Sequence, residues 1–147
     1  MGKRRKAREL ALQFLYSWDI AGGDPAEALV LFEVFTGENE DLPPYARTLI
    51  EATIEKKEEL DGLIVRYCAN WDLERIAAVD RNVLRLALCE MLYGEDIPPI
   101  VVINEAIDIA KKYSTVESGG FVNGILDRIR SELLPDEGGA GRKKEGE

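Results

Sequence analysis

The sequence predicts an all-α fold of about seven helices arranged as two packed helical subdomains, and three observations predict it. Apolar residues recur three and four positions apart through most of the 147 residues, the period of a helix with one buried face. Glycine, proline and capping residues divide these stretches into helix-sized pieces. The one β-branched run, Ile100 to Ile103, has no visible partner strand, and its apolar spacing continues into Ala106 and Ile109 at helical intervals.

Ala7, Leu10, Ala11, Phe14, Leu15 and Trp18 mark a first helix over about 4–20, stopped by Gly22 and Gly23. Asp24 has N-cap chemistry, with Pro25 at N1 and Glu27 at N3, and opens a short second helix through Ala28, Leu29, Leu31, Phe32 and Phe35. After the loop GENEDLPP, a third stripe runs through Ala46, Leu49, Ile50, Thr53, Leu60, Ile64, Tyr67, Cys68 and Trp71, predicting one helix of about 25 residues. Asp72 can cap a short turn holding Leu73 and Ile76. A helix over about 80–93 then buries Val83, Leu84, Ala87, Leu88 and Met91 before Gly94. Pro98 and Pro99 separate it from a sixth helix with Ile100, Ile103, Ile107 and Ala110 on one stripe and Asp108 four residues before Lys112. Ser118 is expected to cap a seventh, carrying Phe121, Val122, Ile125, Leu126, Ile129 and Leu133 up to Pro135. The shorter, charged stretch from Asp72 to Asp80 divides the chain into subdomains at about 1–71 and 72–134. Residues 135–147, without large apolar side chains, are expected to form a disordered polar tail.

Charge is distributed unevenly. Lys3, Arg4, Arg5, Lys6 and Arg8 stand in the first ten residues against Glu9 alone, a local charge of +4 in a chain of net charge -9, so residues 11–147 sum to -13. A polyanion would be repelled by most of this surface and attracted only near the basic end. No apolar run approaches the ~18 residues needed to cross a bilayer, and no small-residue cleavage signature follows the basic start. A cytoplasmic protein without membrane attachment is expected. Two cysteines far apart in helical patterns and no histidine disfavour a disulfide scaffold, a zinc cluster or His-based catalysis. Phosphate-binding glycine motifs and nucleophile elbows are absent too, so no enzyme activity, metal or cofactor is expected.

The basic opening suits phosphates, without specifying a sequence. Three or four contacts to a single strand give a salt slope of about -2 to -3, and losing Arg5 and Arg8 together should lower it by up to ~1.4. A second basic cluster, Lys111 and Lys112, closes the sixth helix, where it also complements the helix dipole. Tyr113 beside it is a candidate for stacking on a base, and Phe121 is expected to be partly buried. Asn104, Glu105 and Asn123 are read as residues that hydrogen-bond helices and loops together, and Glu58, Glu59 and Asp61 as a solvated face.

Four segments in order, KRRKARELALQFLYSWD, DRNVLRLALCE, INEAIDIAKKY and FVNGILD, resemble the bacterial antitermination factors of the NusB family over about residues 3–133. The resemblance implies a non-catalytic, all-helical transcription antitermination factor. It implies binding to single-stranded boxA RNA of ribosomal RNA operon leaders together with the ribosomal protein NusE, and assembly with other Nus factors on RNA polymerase. By position, the RNA surface would comprise Lys3, Arg4, Arg5, Lys6, Arg8, Lys112, Tyr113, Glu117 and Phe121, and the NusE-facing surface Tyr16, Arg75, Asp80 and Arg85. Where the family commonly has Phe-Gly, this chain has Tyr113 and Ser114, which keeps a ring and alters the loop. Whether the free chain pairs with a second copy through its RNA surface stays open.

Two other readings compete. Helical domains of this type also resemble the N-terminal part of ribosomal RNA cytosine methyltransferases, but those need a longer chain with a glycine-rich cofactor fold and a catalytic cysteine. A helical protein–protein adaptor with a solvated basic end is the second, and it would bind boxA and scrambled RNA equally weakly.

Overall fold

A computed structural model describes residues 2–36, 42–68, 72–94 and 96–134, with Phe35 and Thr36 described by their backbone alone. Seven α-helices follow one another: α1 (Gly2–Ala21), α2 (Pro25–Thr36), α3 (Pro44–Glu55), α4 (Lys57–Tyr67), α5 (Ala78–Tyr93), α6 (Pro99–Tyr113) and α7 (Val116–Leu133). A single 3-10 turn, Leu73–Arg75, precedes α5, and no strand occurs among the described residues. Trp71 and the tail at 135–147 lie outside them.

The number of helices agrees with expectation because two differences offset each other. The long third stripe is interrupted at Lys56, whose φ of -97° and ψ of 9° end α3 before α4 begins. Position 57, where the stripe should carry an apolar residue between Thr53 and Leu60, is a lysine whose amine reaches Asp61 at 3.1 Å. The neighbours change there as well: α3 packs on α1 and α5, α4 on α5 and α7. The stretch after Asp72 is no more than the 3-10 turn, and the Asp72 side chain makes no capping bond.

α5 is the hub, packing on α1, α3, α4, α6 and α7. Every residue from Asn82 to Met91 on it is buried, so its periodic stripe is widened into an almost fully enclosed helix. The core joins Phe14 and Leu15 of α1, Ile50 of α3, Leu60 and Ile64 of α4, Leu84 and Leu88 of α5, Ile103 of α6, and Leu126 and Ile129 of α7.

Other boundaries show what sequence spacing leaves free. Asp24 caps α2 as expected, its carboxylate accepting the Glu27 N–H at 3.0 Å. Ser118 does not cap α7. Thr115 is the N-cap, and Ser118 sits at N3 in a reciprocal capping box. On α6 the buried stripe is Pro99, Val102, Ile103, Ala106, Ile109 and Ala110, leaving Ile100 54% exposed. Leu133 on α7, expected to face inward, is exposed, and so is Leu31 on α2. Gly22 and Gly23 end α1 with φ of 74° and 89°, the left-handed region that glycine enters freely. The Trp18 indole N–H donates to the Gly23 carbonyl at 3.0 Å across that corner.

Candidate functional site

The basic opening is helical from Gly2, so its side chains separate by the turn of α1. Arg8 shares a face with Ala11, Leu12 and Leu15, at i+3, i+4 and i+7, and that face is buried. Its guanidinium therefore goes into the protein, 5% exposed, and binds the Glu90 carboxylate of α5 bidentately at 2.8 and 2.9 Å. Tyr45 donates its hydroxyl to the same carboxylate. Burial and then that bond push the Tyr45 phenol up to about 12.

Arg5 lies one turn earlier and half-buried. It donates to Glu105 of α6 at 2.6 and 2.9 Å and to Asp108 at 3.1 Å, while Arg8 adds a third contact to Glu105 at 3.2 Å. The hydrogen bond from Arg5, and both arginine charges, hold the Glu105 carboxyl below its ordinary value although burial pulls the other way. Arg5 and Arg8 thus join α1 to α5 and α6. Their expected role as phosphate ligands meets a structural commitment the sequence did not reveal.

Lys3, Arg4 and Lys6 remain exposed. Arg4 lies over the Tyr45 ring at 4.5 Å, a cation–π contact made by a residue that stays exposed.

The second basic cluster meets the first through Glu9. Its carboxylate accepts from the Lys112 amine at 3.1 and 3.2 Å and from the Tyr113 hydroxyl at 3.1 Å. The expected Asp108–Lys112 pair along α6 is not formed, because Asp108 turns to Arg5 and Lys112 to Glu9. The Lys112 amine is 5.4 Å from the centre of the Tyr113 ring. Glu117 is exposed in the first turn of α7, and Phe121 is half-buried one turn later. Gly119 brings α6 and α7 close here: a β-carbon would stand 2.9 Å from the Lys111 Cε and 3.3 Å from the Ile107 Cγ2.

The expected partner-facing residues divide in two. Tyr16 is 42% exposed and Arg75 is exposed on the 3-10 turn. Asp80 and Arg85 are buried. Arg85 donates to Asp61 at 2.6 and 3.2 Å, to Asp19 at 3.0 Å and to Asn82 at 2.9 Å, tying α4 and α1 to α5. Asp61, read from the sequence as part of a solvated face, is that arginine's main counter-ion. Burial would raise the Asp19 carboxyl, but hydrogen bonds from Arg81 and Asn82 and the Arg85 charge outweigh it and hold the group down. Asp80 accepts from the Ser118 hydroxyl at 3.0 Å through one oxygen, and its other oxygen is buried without a hydrogen-bond partner among the described residues.

Glu9, Tyr45, Glu90, Glu105 and Asp108 therefore shape the basic end; of these the sequence pointed to Glu105 as a holding residue and to Asp108 as a partner of Lys112, and gave no role to Tyr45 or Glu90. The available signal was the helical phase of Arg8, which puts a charge on a buried stripe and requires a buried counter-charge elsewhere. Asn104 and Asn123, expected to hold helix ends, stand on exposed faces. Cys68 and Cys89 are both buried, and burial pushes both thiols up. No described helix is long and apolar enough to cross a membrane.

Comparison with known proteins follows the same line. The profile of the NusB family matches residues 5–131. The transcription antitermination protein NusB of Desulfosudis oleivorans is 46% identical over 136 residues, 90% of this chain and 88% of that one. That of Geobacter sulfurreducens is 46% identical over 142 residues, 94% of this chain and 100% of that one. Among solved structures, NusB from T. maritima superposes with a TM-score of 0.78 at 42% identity, covering 88% of this chain and 91% of that one. A crystal structure of antitermination factors NusB and NusE in complex with dsRNA is matched with a TM-score of 0.78 at 32% identity, over 90% of this chain and 98% of that one. The chain belongs to the NusB family.

Proposed function

We propose that the protein is a non-catalytic transcription antitermination factor that binds boxA RNA of ribosomal RNA leaders jointly with NusE, in a complex with other Nus factors and RNA polymerase. The observation that carries this reading is the exposure of Lys3, Arg4 and Lys6 on the one basic end of an acidic chain, linked through Glu9 to Lys112 and Tyr113. Family membership and the solved NusB–NusE relative with RNA support it.

In this reading the three outward cations and Lys112 meet phosphates, and Tyr113 offers its ring to a base once the strand lies across α6 and α7. Glu117 and Phe121 border that path. Arg5 and Arg8 act as struts that hold α1 at the angle the strand needs. Tyr16 and Arg75 face NusE, Asp80 offers its unpaired oxygen to that partner after a small rearrangement, and Arg85 positions α1 and α4 beneath it. NusE then raises affinity by adding phosphate contacts that three or four cations cannot supply alone.

The test is a gel-shift series with boxA, a scrambled strand and a boxA duplex, each with and without NusE at fixed salt. Tighter binding to single-stranded boxA, strengthened by NusE, is expected. Equal binding to boxA and scrambled RNA rejects the specific reading, and affinity unchanged by NusE rejects the joint one.

A further inference from the structure

The α2 helix lies at the other end of α1 and packs chiefly on it. Leu29 is buried and Ala28 and Phe32 half-buried there, with the Phe32 ring edge-on to Phe14 at 5.5 Å. Yet Val30, Leu31 and Val34 are 60%, 57% and 64% exposed. A helix apolar around most of its circumference is normally covered around most of it, and contiguous exposed apolar side chains mark an interaction face. Ala26, Val30 and Val34 stand at i, i+4 and i+8, one outward stripe with Leu31 beside it.

Two grooves flank this stripe. One, of about 440 Å³, lies between α1 and α2 and is lined by Ser17, Trp18, Ala21 and Leu31 among others. The second, of about 400 Å³, lies between α2 and α3 and is lined by Ala26, Val30 and Ile54 among others. Their rims are acidic: Asp24 and Glu27 on the first, Glu33, Glu51 and Glu55 on the second. The one basic rim residue, Arg47, is paired with Glu33 and lies 3.8 Å from Glu51.

We propose that this face docks a basic amphipathic α-helix of a protein partner, its apolar side laid along Ala26, Val30 and Val34 and its flanking lysines or arginines set against the carboxylate rim. Helix-in-groove docking needs an apolar stripe of this spacing between walls, and the rim supplies the complementary charge. The segments 37–41, Gly-Glu-Asn-Glu-Asp, and 135–147, with no apolar side chain larger than Pro135, are too polar to form an apolar cover. A second copy would set one acidic rim against another. RNA is repelled by the same carboxylates. Ser17, Trp18 and Ala21 of the first groove stand about 20–25 Å along α1 from Arg4, so this face is separate from the outward cations.

The probe is a fluorescein-labelled synthetic 18-residue leucine–lysine peptide with helical amphipathic order, against a scrambled peptide of equal composition, followed by anisotropy and by amide shifts of the full chain. Saturable binding is expected, with shifts centred on α2 and at least tenfold weaker binding of the scrambled peptide. Val30→Asp with Val34→Asp should abolish binding, and Glu27→Lys with Glu55→Lys should weaken it more at low salt than at high, all with unchanged circular dichroism and unchanged RNA affinity. Equal binding of both peptides, or shifts elsewhere, overturns the proposal. Self-association that Val30→Asp with Val34→Asp removes also overturns it, in favour of a second copy. Wild-type RNA binding in the same samples reports on the antitermination reading independently.

Discussion

The two ends of α1 reverse the usual placement of polar and apolar groups in opposite ways. At the N-terminal end an arginine, Arg8, is 5% exposed, while beyond the C-terminal end the valines and leucine of α2 stand more than half in solvent. Both reversals cost stability unless something compensates. At the basic end the compensation is internal: Glu90 and Glu105 neutralise the arginines, and Tyr45 donates a further hydrogen bond to Glu90. At α2 nothing among the described residues covers the stripe, and the compensation we propose is an intermolecular contact. A buried charge tells how the helices are held, and an exposed apolar face tells what they are held for.

Removing Arg8 should have the largest effect. Arg8→Ala strands Glu90, whose side chain is 2% exposed, and should cost about 3–5 kcal/mol in urea denaturation. Arg8→Met with Glu90→Leu should recover much of that loss. A variant that unfolds normally yet loses RNA affinity would break the division between struts and ligands.

Lys3→Ala, Arg4→Ala and Lys6→Ala together should leave stability within about 1 kcal/mol and lower the RNA salt slope by about 2, which is on the order of a hundredfold in affinity at 50 mM salt. Arg5→Ala with Arg8→Ala, by contrast, should register mainly as lost stability rather than as the ~1.4 units of slope their charge alone suggests. Isothermal titration across a salt series checks both.

Tyr113→Ala should weaken RNA binding by about 1–3 kcal/mol without altering the salt slope, while Tyr113→Phe, which loses only the bond to Glu9, should stay near wild type. Equal losses in both variants would assign the hydroxyl rather than the ring.

The smallest effect is on acid stability. Glu105 is held below the ordinary glutamate value by the Arg5 hydrogen bond, so its contribution is complete above the unfolded-state value and disappears as pH falls through the depressed folded one. The melting temperature should decline over that acidic interval, and Glu105→Gln should flatten the decline. An identical profile in the variant would locate the acid sensitivity in Asp19 and its arginines.

Periodicity and punctuation made most of the helices legible, because the spacing of Val83, Leu84, Ala87 and Leu88 is a local property of the chain. The α3–α4 junction was hardly legible: the stripe resumes in phase at Leu60 after the single polar position at Lys57, and the Lys56 dihedrals with the change of neighbours show that two helices are present. The basic end was legible as a cluster and illegible as a division of labour, since Lys6 and Arg8 are chemically alike and differ in which side of α1 they occupy. Leu31 is a similar case. Its hydrophobicity argues for burial, and only the position of α2 on α1 leaves it outside.

What the residues determined alone was the helical class, the capping of α2 by Asp24, the halt at Gly22 and Gly23, and the gathering of cations at one terminus of an acidic chain. Tertiary structure decided which cations are free. An ion pair between Arg8 and Glu90 joins groups 82 residues apart, and no local pattern records a partner that only folding brings within 3 Å.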